Sequence, residues 1–421
     1  MFDFAKRKIG ANQLTSMMKG IAALAPTLLL TLILTSCMSD DYTDTAAGKS
    51  DTYINLNVST PTAQARANAP AKPAGTSGKL GLEETYPYPN TEDTITSIRV
   101  WAFKSGSDKA TATPIGFKSE TNLSAKGSHK VSMMITRKNA ENLHNIDLYI
   151  LLNAESVGVL EGKDCIKMTR AELENLVIKN QFGITADSTA QTTVVPQAGL
   201  PISRVIKDLD VTNNIKDNAT EAALHSINIP LIRAVSKLHF FFTRRKVSDK
   251  DKNTEGVEVT KIEVNENVIP TQSSVFPTAT TDAQKETEGL TGNLTSLTYL
   301  GQKIKFGSVA TENIKPVSDP TSYIRKPGQT AEAYITQLRG VTAECHLSYL
   351  RETGKELTGT IYYKLNKSGA VKQTPFKISK AYRNHEMVVY GYFLGDEKST
   401  LTLNYYVADW NEKKATDIVF D

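Results

Sequence analysis

The chain is a succession of short segments in which apolar and polar residues alternate, separated by stretches rich in Gly, Pro, Asn, Ser and Thr. A period of two is typical of strands with one buried face, and the Val, Ile, Tyr, Phe and Thr that fill these segments favour strands. The predicted strands are 96–103, 129–135, 146–153, 192–196, 230–244, 256–264, 331–336, 344–350, 360–365, 385–394 and 399–410. One helix is predicted, at 169–178, where Thr169 and Glu172 can form a capping box. Many short strands with few helices predict an all-β fold of packed antiparallel sheets.

The length of the chain and one polar stretch predict two domains. A chain of 421 residues exceeds one ordinary domain. Residues 207–224 are polar, and the strand that follows opens at Ile229-Pro230, where proline suits a strand start. We therefore expect one β-sandwich at residues 67–228 and a second at 229–421, both with long loops.

Residues 1–36 predict a signal for export. Basic residues up to Lys19 precede a short apolar run, and small residues then lead directly to Cys37. This order resembles a bacterial lipobox, in which the cysteine thiol receives a lipid and the cysteine becomes the new N-terminus. Translation from the first methionine, from Met17 or from Met18 would each supply the signal.

A further strand is predicted at 53–58, where Ile54, Leu56 and Val58 share one face. The segment after this strand is rich in small and polar residues and contains a single arginine, Arg66, near its start. Segments of this composition are accessible to proteases. We expect residues 37–66 to hold a tether, this strand and the start of the accessible segment.

No pattern in the chain marks an enzyme. The glycine-rich nucleotide loops, the serine elbow and the HExxH zinc motif are absent, and the six histidines are scattered. We expect no catalytic residue, no cofactor and no metal. The first 36 residues supply +3 of the formal net charge of +4, so no basic surface for nucleic acid is predicted. Cys165 and Cys345 lie far apart, and we expect both to be buried apolar residues in strands.

Three stretches of the chain resemble the fimbrillins, the pilus subunits of Bacteroides-type anaerobes. The first is YINLNVSTPTAQARA, followed after a spacer by ITSIRVWAF, and the second is IPLIRAVSKLHFFFT. The third is YRNHEMVVYGYFL together with LTLNYYVADW. They occur in the family's order over nearly the whole chain. Met387 departs from the pattern, because an aromatic residue is usual near that position.

The resemblance implies two transthyretin-like sandwich domains and a structural role in a pilus that supports cell adhesion. It implies that Cys37 carries lipid and anchors the subunit in the outer membrane. An arginine-specific protease would then cut between Arg66 and Ala67. Lys72 and Lys79 lie in the same loop and are alternative sites for a protease of trypsin-like specificity. Loss of the first strand would open a groove for a C-terminal strand of another fimbrial subunit, from residues 399–421. The apolar residues expected to enter the groove are Leu401, Leu403, Tyr405, Val407, Ile418 and Phe420.

Other functions stay open at this point. An anchor subunit would keep its lipid and its first strand, and a tip subunit would need no donor strand. A surface lipoprotein that binds glycan or host protein without polymerising would expose an aromatic cluster, for which Tyr86, Tyr88 and Trp101 are candidates. A surface glycosidase would need a carboxylate pair, and none stands out. The receptor is not indicated by the sequence.

Overall fold

A computed structural model shows that the chain folds mainly into β-strands, as the alternating pattern predicts. The structure describes residues 52–60, 91–140, 142–179, 198–215, 226–246, 256–276, 298–342, 344–353, 355–366, 369–380, 382–394, 401–409 and 415–418. The predicted strand at 192–196 lies outside these residues. Within them, no helix has the length and apolar character needed to cross a membrane.

The first half forms a sandwich of two sheets. Its strands are β1 (Thr52–Ser59), β2 (Thr94–Ile95), β3 (Ile98–Lys104), β4 (Gly116–Glu120), β5 (Ala125–Lys126), β6 (Ser128–Ile135), β7 (Asn145–Leu152), β8 (Val177–Ile178), β9 (Ile202–Asp210), β10 (Ile227–Pro230) and β11 (Ile232–Arg233). Eight of these strands form the two sheets, one with the order β10-β1-β6 and the other with the order β11-β9-β7-β3-β4, while β2 pairs with β5 in a small sheet of its own and β8 lies outside both large sheets. The helices are α1 (Arg137–Ala140) and α2 (Arg170–Glu174).

The facing sides of these two sheets enclose an apolar core, which we call the first core. Alternate residues of β1, β3, β6 and β7 meet there, as a period of two requires. Its fully buried members include Ile54, Val58, Ile98, Val100, Met133, Leu148, Ile150 and Ile229.

The opposite face of the five-stranded sheet is covered by α2 and the loops around it. Trp101 and Tyr149 are buried there, and Trp101 Nε1 donates to the carbonyl oxygen of Cys165 at 2.7 Å. The predicted capping box at the start of α2 is present, since the side chains of Thr169 and Glu172 each accept a hydrogen bond from the other residue's backbone N–H. The helix is shorter than the predicted 169–178, because its last two residues form β8 instead.

The prediction for Cys165 is wrong in two respects. Cys165 lies in a turn and not in a strand, and it is disulfide-bonded, although it is buried as expected. Cys345 lies in a strand, as predicted. Spacing along the chain gave no sign of a bond, because the turn that presents Cys165 is placed by packing against Trp101 and not by local sequence.

The second half forms another sandwich. Its strands are β12 (Ser236–Arg245), β13 (Glu258–Val264), β14 (Ser273–Ser274), β15 (Ile304–Phe306), β16 (Lys315–Val317), β17 (Glu344–Leu350), β18 (Glu356–Lys364), β19 (Lys372–Lys380), β20 (His385–Phe393), β21 (Leu401–Asp409) and β22 (Ala415–Ile418). One sheet has the order β16-β12-β20-β21-β22, with β17 also paired to β12, and the other has the order β15-β13-β18-β19, while β14 pairs with β8 of the first half. Apolar side chains between these sheets form the second core, which includes Phe240, Ile262, Ile361 and Val389.

One predicted strand is a helix. Residues 331–336 were expected to be extended because Tyr, Ile and Thr favour strands. They form the start of α3 (Ala331–Arg339), whose Thr330 side chain caps the first turn. Ala331, Tyr334 and Leu338 are buried at the spacing of a helix face and pack on the outer side of the six-stranded sheet.

Strand pairing places residues 227–233 in the first sandwich. β10 pairs with β1, and β11 pairs with β9, so the second sandwich begins at Ser236 in β12. The predicted single strand at 230–244 is thus divided among the end of β10, the two-residue β11 and the ten-residue β12. Most pairs are antiparallel, as expected, but β1 with β10, β12 with β16 and β12 with β20 are parallel.

Candidate functional site

The strand β1 occupies the centre of its three-stranded sheet. All eight of its residues pair antiparallel with β6, and residues 56–59 also pair parallel with β10. Beyond the ladder, Thr52 Oγ1 donates to the carbonyl of Ile135 at 3.0 Å, and the Thr60 amide donates to the carbonyl of Gly127 at 2.7 Å. Both ends of β1 are therefore fixed, and its removal would leave two strands with unpaired backbone groups facing each other.

The two faces of β1 differ as the alternation predicts. Ile54, Leu56 and Val58 point into the first core and are at most 1% exposed. Residues on the other face are half-buried, and among them Asn57 Nδ2 donates to Asn228 Oδ1 of β10 at 2.9 Å. The buried apolar side chains anchor β1 in the first core, and the polar face forms a hydrogen bond to β10 through Asn57.

The segment that joins β1 to the rest of the sandwich spans residues 61–90, and it contains the predicted cleavage site. Arg66 and Ala67 lie outside the described residues, and so does the predicted lipidation site Cys37. Their roles therefore stay predictions. The structure shows that β1, the strand before this segment, pairs with both β6 and β10 of the first sandwich.

The predicted donor residues fall on two strands at the end of the second sandwich. β21 lies between β20 and β22, whereas β22 pairs, within the described residues, with β21 alone. The four apolar donor candidates of β21 are buried in the second core: Leu401, Leu403, Tyr405 and Val407. Ile418 lies at the end of β22, and Phe420 lies outside the described residues. The described candidates thus lie in strands of the second sandwich, whereas β1 lies in the first.

The other face of β21 is also covered. Tyr406 packs under α3, with its ring edge-on to Tyr334 at 6.0 Å between centroids and with the Arg325 guanidinium 4.1 Å from its ring centroid. Burial raises the pKa of Tyr405 on the opposite face, because its phenol lies in the second core. The strand β21 is thus held on both faces, and β22 covers its free edge.

Sequence reasoning missed an ionic contact between the two sandwiches. It involves the 3-10 turn that precedes β2. Glu92 forms an ion pair with Lys237 of β12 at 2.8 Å and accepts a hydrogen bond from the Tyr349 hydroxyl. Asp93 pairs with Arg233 at 2.7 Å. The first described residues after the 61–90 segment are therefore bonded to β12 and β17, a long-range contact that no local pattern signals.

Electrostatics of this contact favour ionised carboxylates. Burial alone would raise the pKa of Glu92, but Lys237 and Arg233 outweigh it and hold that pKa below its usual 4.5. Glu386 of β20 is likewise buried, and Lys237 and His239 lower its pKa to about 2 despite that burial. His239 Nε2 lies 2.6 Å from Glu386 Oε1. The contact is a charged network whose strength depends on pH.

Other residues singled out in the sequence have structural positions. Arg383 and Asn384 form the turn before β20, and the Arg383 guanidinium pairs with Glu352 at 2.5 Å in the interior. Trp101 is fully buried, so it cannot belong to an exposed aromatic cluster, while Tyr86 and Tyr88 lie outside the described residues. In the part of the chain that the structure describes, no group of three or more His, Cys, Asp or Glu side chains could hold a metal ion.

Comparisons with known proteins give structural neighbours only. No family model matches the chain, and no curated protein matches it. Among solved structures, the tip fimbrial protein Mfa3 of Porphyromonas gingivalis, with a C-terminal truncation, aligns at 12% identity and a TM-score of 0.43, covering 86% of this chain and 100% of that one. A fimbrilin of the same organism aligns at 11% identity and a TM-score of 0.43, over 85% and 97% of the two chains.

A third neighbour is a fimbrial assembly protein of Parabacteroides distasonis. It aligns at 13% identity and a TM-score of 0.41, covering 87% of this chain and 99% of the neighbour. Identity and TM-score are low in all three alignments, so the function of the chain has to be argued from its own residues.

Proposed function

We propose that the chain is a structural subunit of a bacterial pilus, exported as a lipoprotein, cut once and polymerised by strand exchange. One observation carries the proposal. β1 is the central strand of a sheet in the first sandwich, yet its covalent connection to the rest of that sandwich runs through residues 61–90. A cut after Arg66 would turn β1 from part of the chain into a peptide held by non-covalent contacts.

The contacts of β1 set what must replace it. Burying Ile54, Leu56 and Val58 contributes about 5–9 kcal/mol at about 1.5–3 kcal/mol for each side chain. Without β1, the first core would expose an apolar row between two strands with unpaired backbone groups. Such a groove favours one kind of occupant, an extended segment with alternating apolar residues. Strand donation between copies does not close on itself, so it produces a fibre.

The partners follow from this scheme. They are other fimbrial subunits, an arginine-specific protease, and the outer membrane, which the lipid on Cys37 would engage before cleavage. Residues 399–421 supply the donor segment, and the assembled pilus serves cell adhesion through a receptor that is not identified. The buried disulfide at Cys165 supports export, because disulfides persist in oxidising compartments.

The test is the N-terminal residue and the assembly state of the protein recovered from the surface of producing cells. Intact-mass spectrometry and size-exclusion chromatography are applied to the chain and to Arg66→Lys, which keeps the charge but is not cut by an arginine-specific protease. The proposal expects chains that begin at Ala67 in high-molecular-weight material, and it expects monomers from Arg66→Lys.

Each alternative gives a different result in the same experiment. An anchor subunit keeps lipidated Cys37 and β1 while it is bound to a polymer. A tip subunit is cut but ends a filament instead of extending it. A non-polymerising surface lipoprotein stays monomeric whether or not Arg66 is present, and that result would refute the proposal.

A further inference from the structure

A cavity of about 150 Å³ lies where β4 approaches the outer face of the three-stranded sheet. Its described lining comes from Tyr53 of β1, Ser132 and Met134 of β6, residues 114–119 in and before β4, and Ile166 in the turn before α2. Tyr53, Met134 and Ile166 are half-buried, so solvent reaches the cavity. The cavity is separate from the first core, because Tyr53 lies on the face of β1 opposite the buried apolar row.

Most of the cavity wall is held by contacts within the first sandwich. Gly116, at the start of β4, lies so close to β6 that an added Cβ would be 3.0 Å from the carbonyl oxygen of Met134. Phe117 packs on Trp101 at 5.6 Å between ring centroids, and the Trp101 indole donates to the carbonyl of Cys165, next to Ile166. None of these contacts is made by β1.

The strand β1 supplies one wall of the cavity. Tyr53 pairs with Met134 of β6, and among the described lining residues it is the one that belongs to β1. Loss of β1 would therefore remove the Tyr53 ring and open the cavity on that side. A molecule in the cavity would contact β1 and the other walls together, and it would lose contact surface when β1 leaves.

The size and the lining of the cavity indicate the class of molecule that fits. An apolar cavity of about 150 Å³ is large enough to bind one benzene ring. Phe117, Met134 and Ile166 offer apolar surface to such a ring. Ser132 Oγ is buried and, among the described residues, has no hydrogen-bond partner. A buried hydroxyl without a partner is unfavourable, so a ligand with one hydrogen-bonding group is favoured over a purely apolar one.

We propose that this cavity binds a small aromatic alcohol, of which phenol is the simplest, and that the bound molecule holds β1 in the first sandwich. The ring packs against Tyr53 and Phe117, and the hydroxyl bonds to Ser132 Oγ. This inference rests on the proposed function in one respect, because retention of β1 matters to assembly only if β1 has to leave. A ligand of this class would delay the loss of β1 and therefore delay polymerisation.

Binding is measured first on the full, uncut chain by calorimetric titration with phenol. Ile166→Trp fills the cavity from the turn, and Met134→Phe fills it from β6. Val371→Trp, at an exposed apolar residue outside the cavity, is the matched control for added bulk. Ser132→Ala removes the hydroxyl alone and should weaken phenol binding by about 2- to 12-fold.

Saturable binding is expected for the unchanged chain and for Val371→Trp, and none for the two filled variants. Urea midpoints identify a filled variant that has not folded, and in that case Ser132→Ala decides. Absence of saturable binding to the unchanged chain overturns the inference and leaves the proposed function intact. Binding that none of the three cavity variants weakens also overturns it.

The hold on β1 is measured on cut protein from which β1 has been removed, with a labelled peptide spanning residues 52–60. Phenol at ten times its Kd should lower the Kd of the wild-type peptide about tenfold, because it binds the peptide-filled state and loses its site in the empty one. The Asn57→Ala peptide should respond equally, since Asn57 is not among the lining residues. The Tyr53→Ala peptide should respond by less than about twofold.

Two results of the peptide assay overturn the inference. They are an unchanged Kd of the wild-type peptide in phenol, and an equal response of all three peptides. A chain that binds phenol in this manner but keeps β1 on producing cells supports the inference about the cavity and refutes the proposed function instead.

Discussion

Replacing Leu56 by alanine should weaken the hold of the first sandwich on β1 more than any change on the polar face of that strand. Leu56 is 1% exposed and lies in the middle of the three inward side chains. Large-to-small changes at such positions cost about 2–5 kcal/mol, because they lose buried surface and leave a cavity.

Once the chain is cut, this cost acts on a non-covalent complex. The dissociation constant of the β1 peptide should then rise roughly 30- to 4,000-fold, since each 1.4 kcal/mol is a factor of ten. Asn57→Ala is the matched control on the opposite face. It removes one exposed hydrogen bond, worth about 0.5–1.5 kcal/mol, so its effect should be about 2- to 12-fold.

The assay is the binding of a labelled peptide spanning residues 52–60 to the cut protein from which β1 has been removed, measured by fluorescence anisotropy. Wild-type, Leu56→Ala and Asn57→Ala peptides are compared on the same protein. Equal affinities for the wild-type and Leu56→Ala peptides would refute the reasoning, because they would mean that the apolar row does not hold the strand.

Three further predictions concern the rest of the molecule. Lowering the pH from 7 towards 3 should reduce the free energy of unfolding. The pKa of Glu386 is about 2 in the folded chain against an ordinary 4.5, so its contribution is present above pH 4.5 and is lost as the pH falls from 4.5 towards 2. In urea titrations, Glu386→Gln should therefore show a smaller pH dependence than the unchanged chain. Gly359→Ala should destabilise the chain by about 1–3 kcal/mol in the same titrations, since an added Cβ would overlap the carbonyl of Glu263 and the ring of Phe376; an unchanged midpoint would contradict this contact. Reducing the disulfide at Cys165 should lower stability by about 2–4 kcal/mol, and equal midpoints with and without reductant would argue against the bond.

Local sequence was sufficient where a strand has one buried face. The alternation of Ile54, Leu56 and Val58 predicted both the strand and the buried side. It was not sufficient for α3, because Tyr334 and Ile335 favour strands while their spacing from Leu338 is that of a helix face. In that case the period was the better guide than residue preference.

Long-range pairing was beyond the reach of sequence patterns. Asn57 and Asn228 are 171 residues apart, and nothing near either residue signals a parallel pair. The ion pair between Glu92 and Lys237 and the disulfide at Cys165 are of the same kind. The Asn57–Asn228 pair is specified by how strands assemble within the first sandwich, and the Glu92–Lys237 ion pair is specified by how the two sandwiches pack.

The different surroundings of β1 and β22 have a mechanical consequence. A pull along β1 loads its pairs with β6 and β10 in shear, so many hydrogen bonds have to break together. A pull on the end of β22 peels four residue pairs from one neighbour, one after another. A strand in the β1 position should therefore withstand a larger pulling force than β22 does in a free subunit. A fibre whose subunits are joined at the β1 position would stay connected at forces that detach β22 from β21.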